Sequence, residues 1–367
     1  MKQWVWGGMS LVERMVWGRE VAKTPLAAVK NFLLLQYPSA LGTAVHATPL
    51  VEALRAAVPG CRIAVAANGM AVEIFRHHPG VEVVVETPNP LKDLKGAVGS
   101  LRRQNPFDGE VYATLTSTGN ERTLIGLMSV LSGASVRVGF TVAPGLFRVG
   151  MGFDYERSQI ANNLRIVDAL GHVAQHFEPK VFYSAADMAF ARACLEERGV
   201  DLTRPIAVLV TQTSVTQRKS WREERFRAVA EFLCERYGAQ VVFVGTAGES
   251  ARIDGLRAGL GFATASVAGV TNLTELTALL KLSDVAVTLD TGTMHLGRAV
   301  GLPMVIIAPA WSPPIEWLPL GDPRFVILKN LDMERAPEDY VIDEVSVAEV
   351  TGALERLLAQ YPVGSRR

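Results

Sequence analysis

The chain has 367 residues, 49% hydrophobic and 20% charged, a balance that excludes a disordered protein and provides for two or three domains with large cores. Lys plus Arg and Asp plus Glu both total 37, so the net charge is zero, which argues against a nucleic-acid partner held by a broad basic surface. The three cysteines, Cys61, Cys194 and Cys234, make no zinc-binding or CxxC spacing and read as small buried apolar side chains in a reducing, cytoplasmic setting.

Within residues 1–20, Val5, Met9, Val12 and Val16 fall on one helical face flanked by Trp6 and Trp17. This amphipathic extension, bounded at 1–24, either packs on the protein's own surface or lies along the face of a membrane. No stretch of 18 uncharged apolar residues occurs, so no membrane-spanning helix is expected. From residue 29 short apolar runs alternate with amphipathic stretches. Strands are expected at 29–36, 62–67, 81–86, 109–115 and 136–140, with helices at 43–58, restarted or kinked at Pro49, and at 121–132. The scheme repeats with helices at 188–198, 223–237, 273–282 and 294–300 and strands at 205–211, 240–244, 284–289 and 303–308. A final helix runs to about 359, with Ser346 and Glu349 as its capping box. Buried strands alternating with helices imply parallel sheets covered on both faces, here two doubly wound α/β domains at 25–180 and 181–335 facing across a cleft, and a helical tail at 336–367.

Ligands of such sheets sit at the C-terminal ends of the strands, and four segments there carry chemistry. Asp290-Thr291-Gly292-Thr293-Met294-His295 joins a strand to a helix. Gly292 permits a tight turn, Thr291 or Thr293 can cap the helix, and its free N–H groups suit an anion. An ordinary capped turn has the same spacing. The loop 213–221, with Ser214, Thr216, Lys219 and Trp221, gathers hydroxyls and a cation able to neutralise a diphosphate, or is a solvated surface loop. At 244–249, Glu249 either holds ribose hydroxyls or opens a helix as a first-turn acid. His46, in the segment 38–49, is either an acid/base group or structural. No carboxylate pair is placed for magnesium, so no metal requirement is expected.

In this order the four segments, with Leu41-Gly42 and Val138-Gly139-Phe140, resemble the ADP-heptose:lipopolysaccharide heptosyltransferase family, glycosyltransferase family nine. The resemblance spans about residues 30–320 and implies a GT-B fold, an ADP-sugar donor in the C-terminal domain, no further cofactor, and a glycan or glycolipid acceptor on the N-terminal domain. It implies inverting transfer of heptose onto a lipopolysaccharide core at the cytoplasmic face of the inner membrane. By position, Lys219 with Ser214 and Thr216 would touch the phosphates, Glu249 the ribose, Asp290 the donor sugar and the Thr291–Gly292 backbone the diphosphate, while Met294 and His295 would shape the pocket and Thr293 would count among the donor-binding residues. One position departs from the family: where it carries an acidic residue after Leu-Gly, taken as the general base, this chain has Thr43. Either another group serves, with His46 nearest and Glu52 and Glu121 further away, or the protein binds nucleotide sugar without turning it over.

Overall fold

The computed structural model describes residues 24–212 and 218–364, and the N-terminal extension read at 1–20 lies outside them. The chain divides into two compact units, Met1–Phe182 and Tyr183–Arg367.

The first unit contains β1 (Asn31–Gln36), α1 (Leu41–Ala57), β2 (Arg62–Ala67), α2 (Met70–Arg76), β3 (Val83–Glu86), α3 (Leu94–Gln104), β4 (Ala113–Thr116), α4 (Thr123–Leu131), β5 (Val136–Phe140), β6 (Val149–Met151) and α5 (Gln159–Ala169). Its six strands lie in the order β3-β2-β1-β4-β5-β6, all parallel. Successive side chains of a strand point to opposite faces, and Leu33, Leu34 and Leu35 are all buried, so both faces of β1 are covered. Leu33 and Leu35 join Ala97 and Leu101 of α3 and Ile125 and Met128 of α4 in one core. Helix α1 passes unbroken through Pro49. The proline has no N–H to give the Val45 carbonyl, and the Thr48 hydroxyl donates to that carbonyl instead, at 2.8 Å. Gly139 explains why the Val138-Gly139-Phe140 element needs glycine: its φ is +136°, and any Cβ would overlap the Thr116 backbone of β4.

The second unit contains α6 (Ala185–Glu196), β7 (Ile206–Val210), α7 (Glu223–Tyr237), β8 (Gln240–Phe243), α8 (Ser250–Arg257), β9 (Ala265–Ser266), α9 (Leu273–Leu282), β10 (Val285–Leu289), α10 (Gly292–Ala299), β11 (Met304–Ile307), α11 (Pro314–Trp317), β12 (Phe325–Leu328) and α12 (Val347–Gln360). The order β12-β11-β10-β7-β8-β9 repeats the plan of the first sheet. The Ser346–Glu349 capping box opens α12, whose Val350, Ala353, Leu354 and Leu357 enter the same core as Leu209, Phe226 and Val287. The helix read from the sequence as a tail is thus part of this unit's core.

In each sheet the strand order reverses direction once, between β1 and β4 and between β7 and β10. A crevice opens above such a switch point, at the C-terminal strand ends.

Candidate functional site

At the second unit's switch point, the loop after β7 meets the loop after β10. Lys219 Nζ donates to Asp290 Oδ2 at 2.7 Å and stands 3.3 Å from the Asp290 carbonyl. The Lys219 and Asp290 side chains are only 12% and 3% exposed, so the pair is largely desolvated. An ion pair in such a place is weak evidence for stability but strong evidence for a fixed arrangement, because either partner alone would be a stranded charge.

The placement of Lys219 is built from both sides. Arg218 adopts φ +49°, the one positive value at a non-glycine among the described residues. That conformation costs about 1–3 kcal/mol and persists only where neighbours enforce it. Here the Arg218 guanidinium donates to the Ala336 carbonyl at 2.8 Å, and its own carbonyl accepts from Trp311 Nε1 at 3.0 Å. Lys219 Nζ lies 5.3 Å from the Trp311 ring centroid, within cation–π range. The irregular segment 336–345 straps the loop down. Ile342 N–H donates to the Ser220 carbonyl, Trp221 Nε1 to the Val345 carbonyl, and Arg222 pairs with Asp343. Trp311, Arg218 and this strap were not singled out in the sequence, because each acts through a contact 90 or more residues distant in the chain.

Thr291 is the N-cap of α10, in extended conformation, but its hydroxyl makes no cap and is buried without a partner. Gly292 is the first helical residue and is not among the positive-φ glycines, so the extended Thr291, not Gly292, makes the turn. By contrast α6, α9 and α12 all carry complete capping boxes. The start of α10 therefore presents first-turn N–H groups without a side-chain cap, beside a lysine, an arrangement that accepts an anionic oxygen. Thr293 lies in that first turn and is half-buried. His295, one turn on, is 5% exposed and its ring lies 5.8 Å from that of Trp317. Burial lowers its pKa to about 4, against the opposing pull of Asp290, so the ring is neutral at neutral pH and brings shape and polarity, not charge.

Glu249 stands at the end of β8, where its Oε2 accepts from Thr246 N–H at 2.6 Å and from the Thr246 hydroxyl at 2.9 Å. It closes a capping box and so is committed to its own loop, at least through that oxygen. Ser214 and Thr216 lie outside the described residues.

In the first unit, Thr43 occupies the first turn of α1, buried at 6% exposure against the loop after β4, where Gly119 at φ +77° could not accept a Cβ without overlapping the Thr43 methyl. His46 is buried one turn along, and its carbonyl accepts from Asn163 Nδ2. The loop after β4 is held by a buried network. Asn120 Oδ1 accepts from Tyr37 N–H at 2.6 Å, Asn120 Nδ2 and Gln36 Nε2 converge on Ser117 Oγ, and Thr118 N–H donates to Asn163. Among the described residues no three His, Cys, Asp or Glu side chains are placed to hold a metal ion, and no helix is long and apolar enough to cross a membrane.

Comparison with known proteins identifies the architecture. Among solved structures, a glycosyl transferase family 9 protein from Veillonella parvula is similar with a TM-score of 0.80 at 17% identity, covering 92% of this chain and 99% of that one. The E. coli ADP-heptose lps heptosyltransferase II is similar at 0.73 and 19% identity, covering 89% of this chain and 98% of that one. E. coli heptosyltransferase WaaC with ADP follows at 0.68 and 17%, covering 89% and 99%. At such identities the likeness establishes the fold, the α/β GT-B type. No curated protein sequence matches. The sequence family described as glycosyltransferase family 9 (heptosyltransferase) matches residues 136–338, a span that holds Lys219, Glu249, the whole Asp290–His295 turn and more than half the chain. The protein therefore belongs to glycosyltransferase family 9 and is a glycosyltransferase of the heptosyltransferase type.

Proposed function

We propose that the protein transfers heptose from an ADP-linked donor to a hydroxyl of a lipopolysaccharide-core or related glycan, with inversion at the anomeric carbon and without a metal ion, at the cytoplasmic face of the inner membrane. The observation that carries the reading is the Lys219–Asp290 pair beside the side-chain-uncapped start of α10. A diphosphate lodged on the Gly292 and Thr293 N–H groups draws Lys219 from Asp290. The freed carboxylate then accepts from hydroxyls of the donor sugar. Cation and helix start together stabilise the charge that develops on the diphosphate as the glycosidic bond breaks, the electrostatic role expected where no metal serves. Glu249 meets the ribose through the oxygen not used in its cap. Thr293 and His295 shape the wall of this pocket, and Ser214 and Thr216 belong to the same phosphate loop. The E. coli structures bound to ADP and to an ADP-linked fluoroheptose support the choice of donor.

Titration calorimetry with ADP, UDP, GDP and CDP tests the donor site. Selective ADP binding is expected, weakened by about 1.5–3 kcal/mol in Lys219→Ala, the range for hydrogen bonds to charged groups. Equal affinity in that variant would remove Lys219 from the site. EDTA is expected to leave the transfer rate unchanged.

A second reading, recognition of nucleotide sugar without turnover, has one observation in its favour: Thr43 gives the first turn of α1 no ionisable side chain. ADP released from ADP-heptose in the presence of a core acceptor separates the two.

A further inference from the structure

The proposed transfer needs a group to take the proton of the acceptor hydroxyl, and the first sheet narrows where that group stands. Resting on the transferase reading, we infer that Glu121 is the general base. The two sheets share one strand order. In the second, the loops at the switch strands β7 and β10 carry Lys219 and Asp290. The corresponding segments of the first follow β1 and β4: residues 37–40 with the first turn of α1, 41–43, and residues 117–122. Glu121 is the one carboxylate in either of them.

Its loop is positioned as a site requires. Asn120 pins it to the end of β1 through Tyr37 N–H. Gly119 lies against Thr43 at the start of α1, with no room for a side chain between them. Glu121 itself is half-buried and directly precedes the Arg122 N-cap of α4. The other titratable groups of the region are engaged or enclosed. His46 is 1% exposed within the core. Glu52 is nine residues beyond Thr43, about 13 Å along the helix at 1.5 Å per residue. There it stands 3.8 Å from His78. The Tyr37 hydroxyl is buried against Thr87, and burial pushes its pKa up. Asp154, at the sheet edge beyond β6, accepts from Glu156 N–H and Arg157.

In the step itself the Glu121 carboxylate accepts the hydroxyl proton as the acceptor oxygen bonds to the anomeric carbon. The bond from that carbon to the diphosphate oxygen breaks, and ADP leaves with the electron pair.

The test uses the full-length chain with ADP-heptose and a lipopolysaccharide-core acceptor. Glu121→Gln is expected to lower kcat by about 10²–10⁴-fold, the usual contribution of a positioned base, with ADP affinity unchanged. The decline of kcat toward acid should disappear with it. Adding Thr43→Asp to Glu121→Gln should restore a large part of the rate and the acid limb, because position 43 faces the same loop. Wild-type kcat and an unaltered pH profile in Glu121→Gln would overturn the assignment alone. Wild-type protein that neither binds ADP nor releases it from ADP-heptose would overturn the transferase reading, and the assignment with it.

Discussion

Lys219→Ala acts twice, once on ligand binding and once on the protein's own stability. It leaves Asp290, 3% exposed, as an uncompensated charge, and breaking such a pair costs about 3–5 kcal/mol. Lys219→Met with Asp290→Leu removes both charges and should recover most of that loss in urea denaturation, while nucleotide binding stays weakened. A double variant as unstable as the single would show that the pair is not the source. The residue types at this site were legible in the sequence, but an Asp-Thr-Gly-Thr turn and a lysine in a strand-to-helix loop fit an ordinary capped turn and a solvated loop as well as an anion site. Their pairing was not, because nothing local relates positions 219 and 290. Glu249 shows the opposite limit: both of its readings were open in the sequence, and the hydrogen bonds to Thr246 put its carboxylate in the helix cap.

Among the elements, long buried strands and well-capped helices were readable from apolar runs and Ser-x-x-Glu spacing. The short edge strands β6, β9 and β12 were not expected, nor were helices α2, α3, α5 and α11, while α8 was anticipated only through the reading of Glu249 at a helix start. Edge strands of two to four residues give too little periodicity, and α3 and α8 are mostly polar on their outer faces. Pro49 was expected to restart or kink its helix, and Thr48 removes the reason by supplying the missing donor. The strap 336–345 acts as an element without being a helix or strand. Trp221 fills the core beside Phe226 while its Nε1 donates to the Val345 carbonyl at 2.8 Å. Trp221→Phe keeps most of the packing and loses the hydrogen bond, for an expected loss of about 1–3 kcal/mol in chemical denaturation. ADP affinity should fall in parallel, since the strap also holds Arg218. A variant with lowered stability and intact affinity would uncouple strap from site.

For the whole molecule, acid is the condition that strikes both units. Each contains an enclosed histidine whose pKa burial lowers to about 4: His78, with Lys180 and Arg55 adding to the effect, and His295. A folded-state value below the unfolded value of about 6.5 means that the unfolded chain binds more protons between the two. Stability is therefore full above about pH 6.5 and falls as the pH drops toward about 4, by up to about 3 kcal/mol for each histidine. Urea midpoints at pH 7.5 and 5 should show the fall, and His78→Phe, which preserves a ring against Phe182, should lessen it. An identical pH dependence in that variant would place the effect elsewhere. The doubly wound plan of each unit followed directly from the alternation of strands and helices, whereas the repeated strand order, from which the switch points follow, is a property of three-dimensional pairing.

The resting contact between Lys219 and Asp290 also makes the two ends of the proposed donor interdependent. In the proposed site, nucleotide alone would take the cation and strand the carboxylate. A complete sugar nucleotide would take the cation and also supply the carboxylate with hydroxyl donors. In the proposed reading, Asp290 sits against Lys219 where a phosphate would pair, and a molecule bearing both diphosphate and sugar would displace it most readily. On the same reading, once the sugar has moved to its acceptor, the nucleoside diphosphate left behind would compete with Asp290 unaided, and the returning carboxylate would help to expel it.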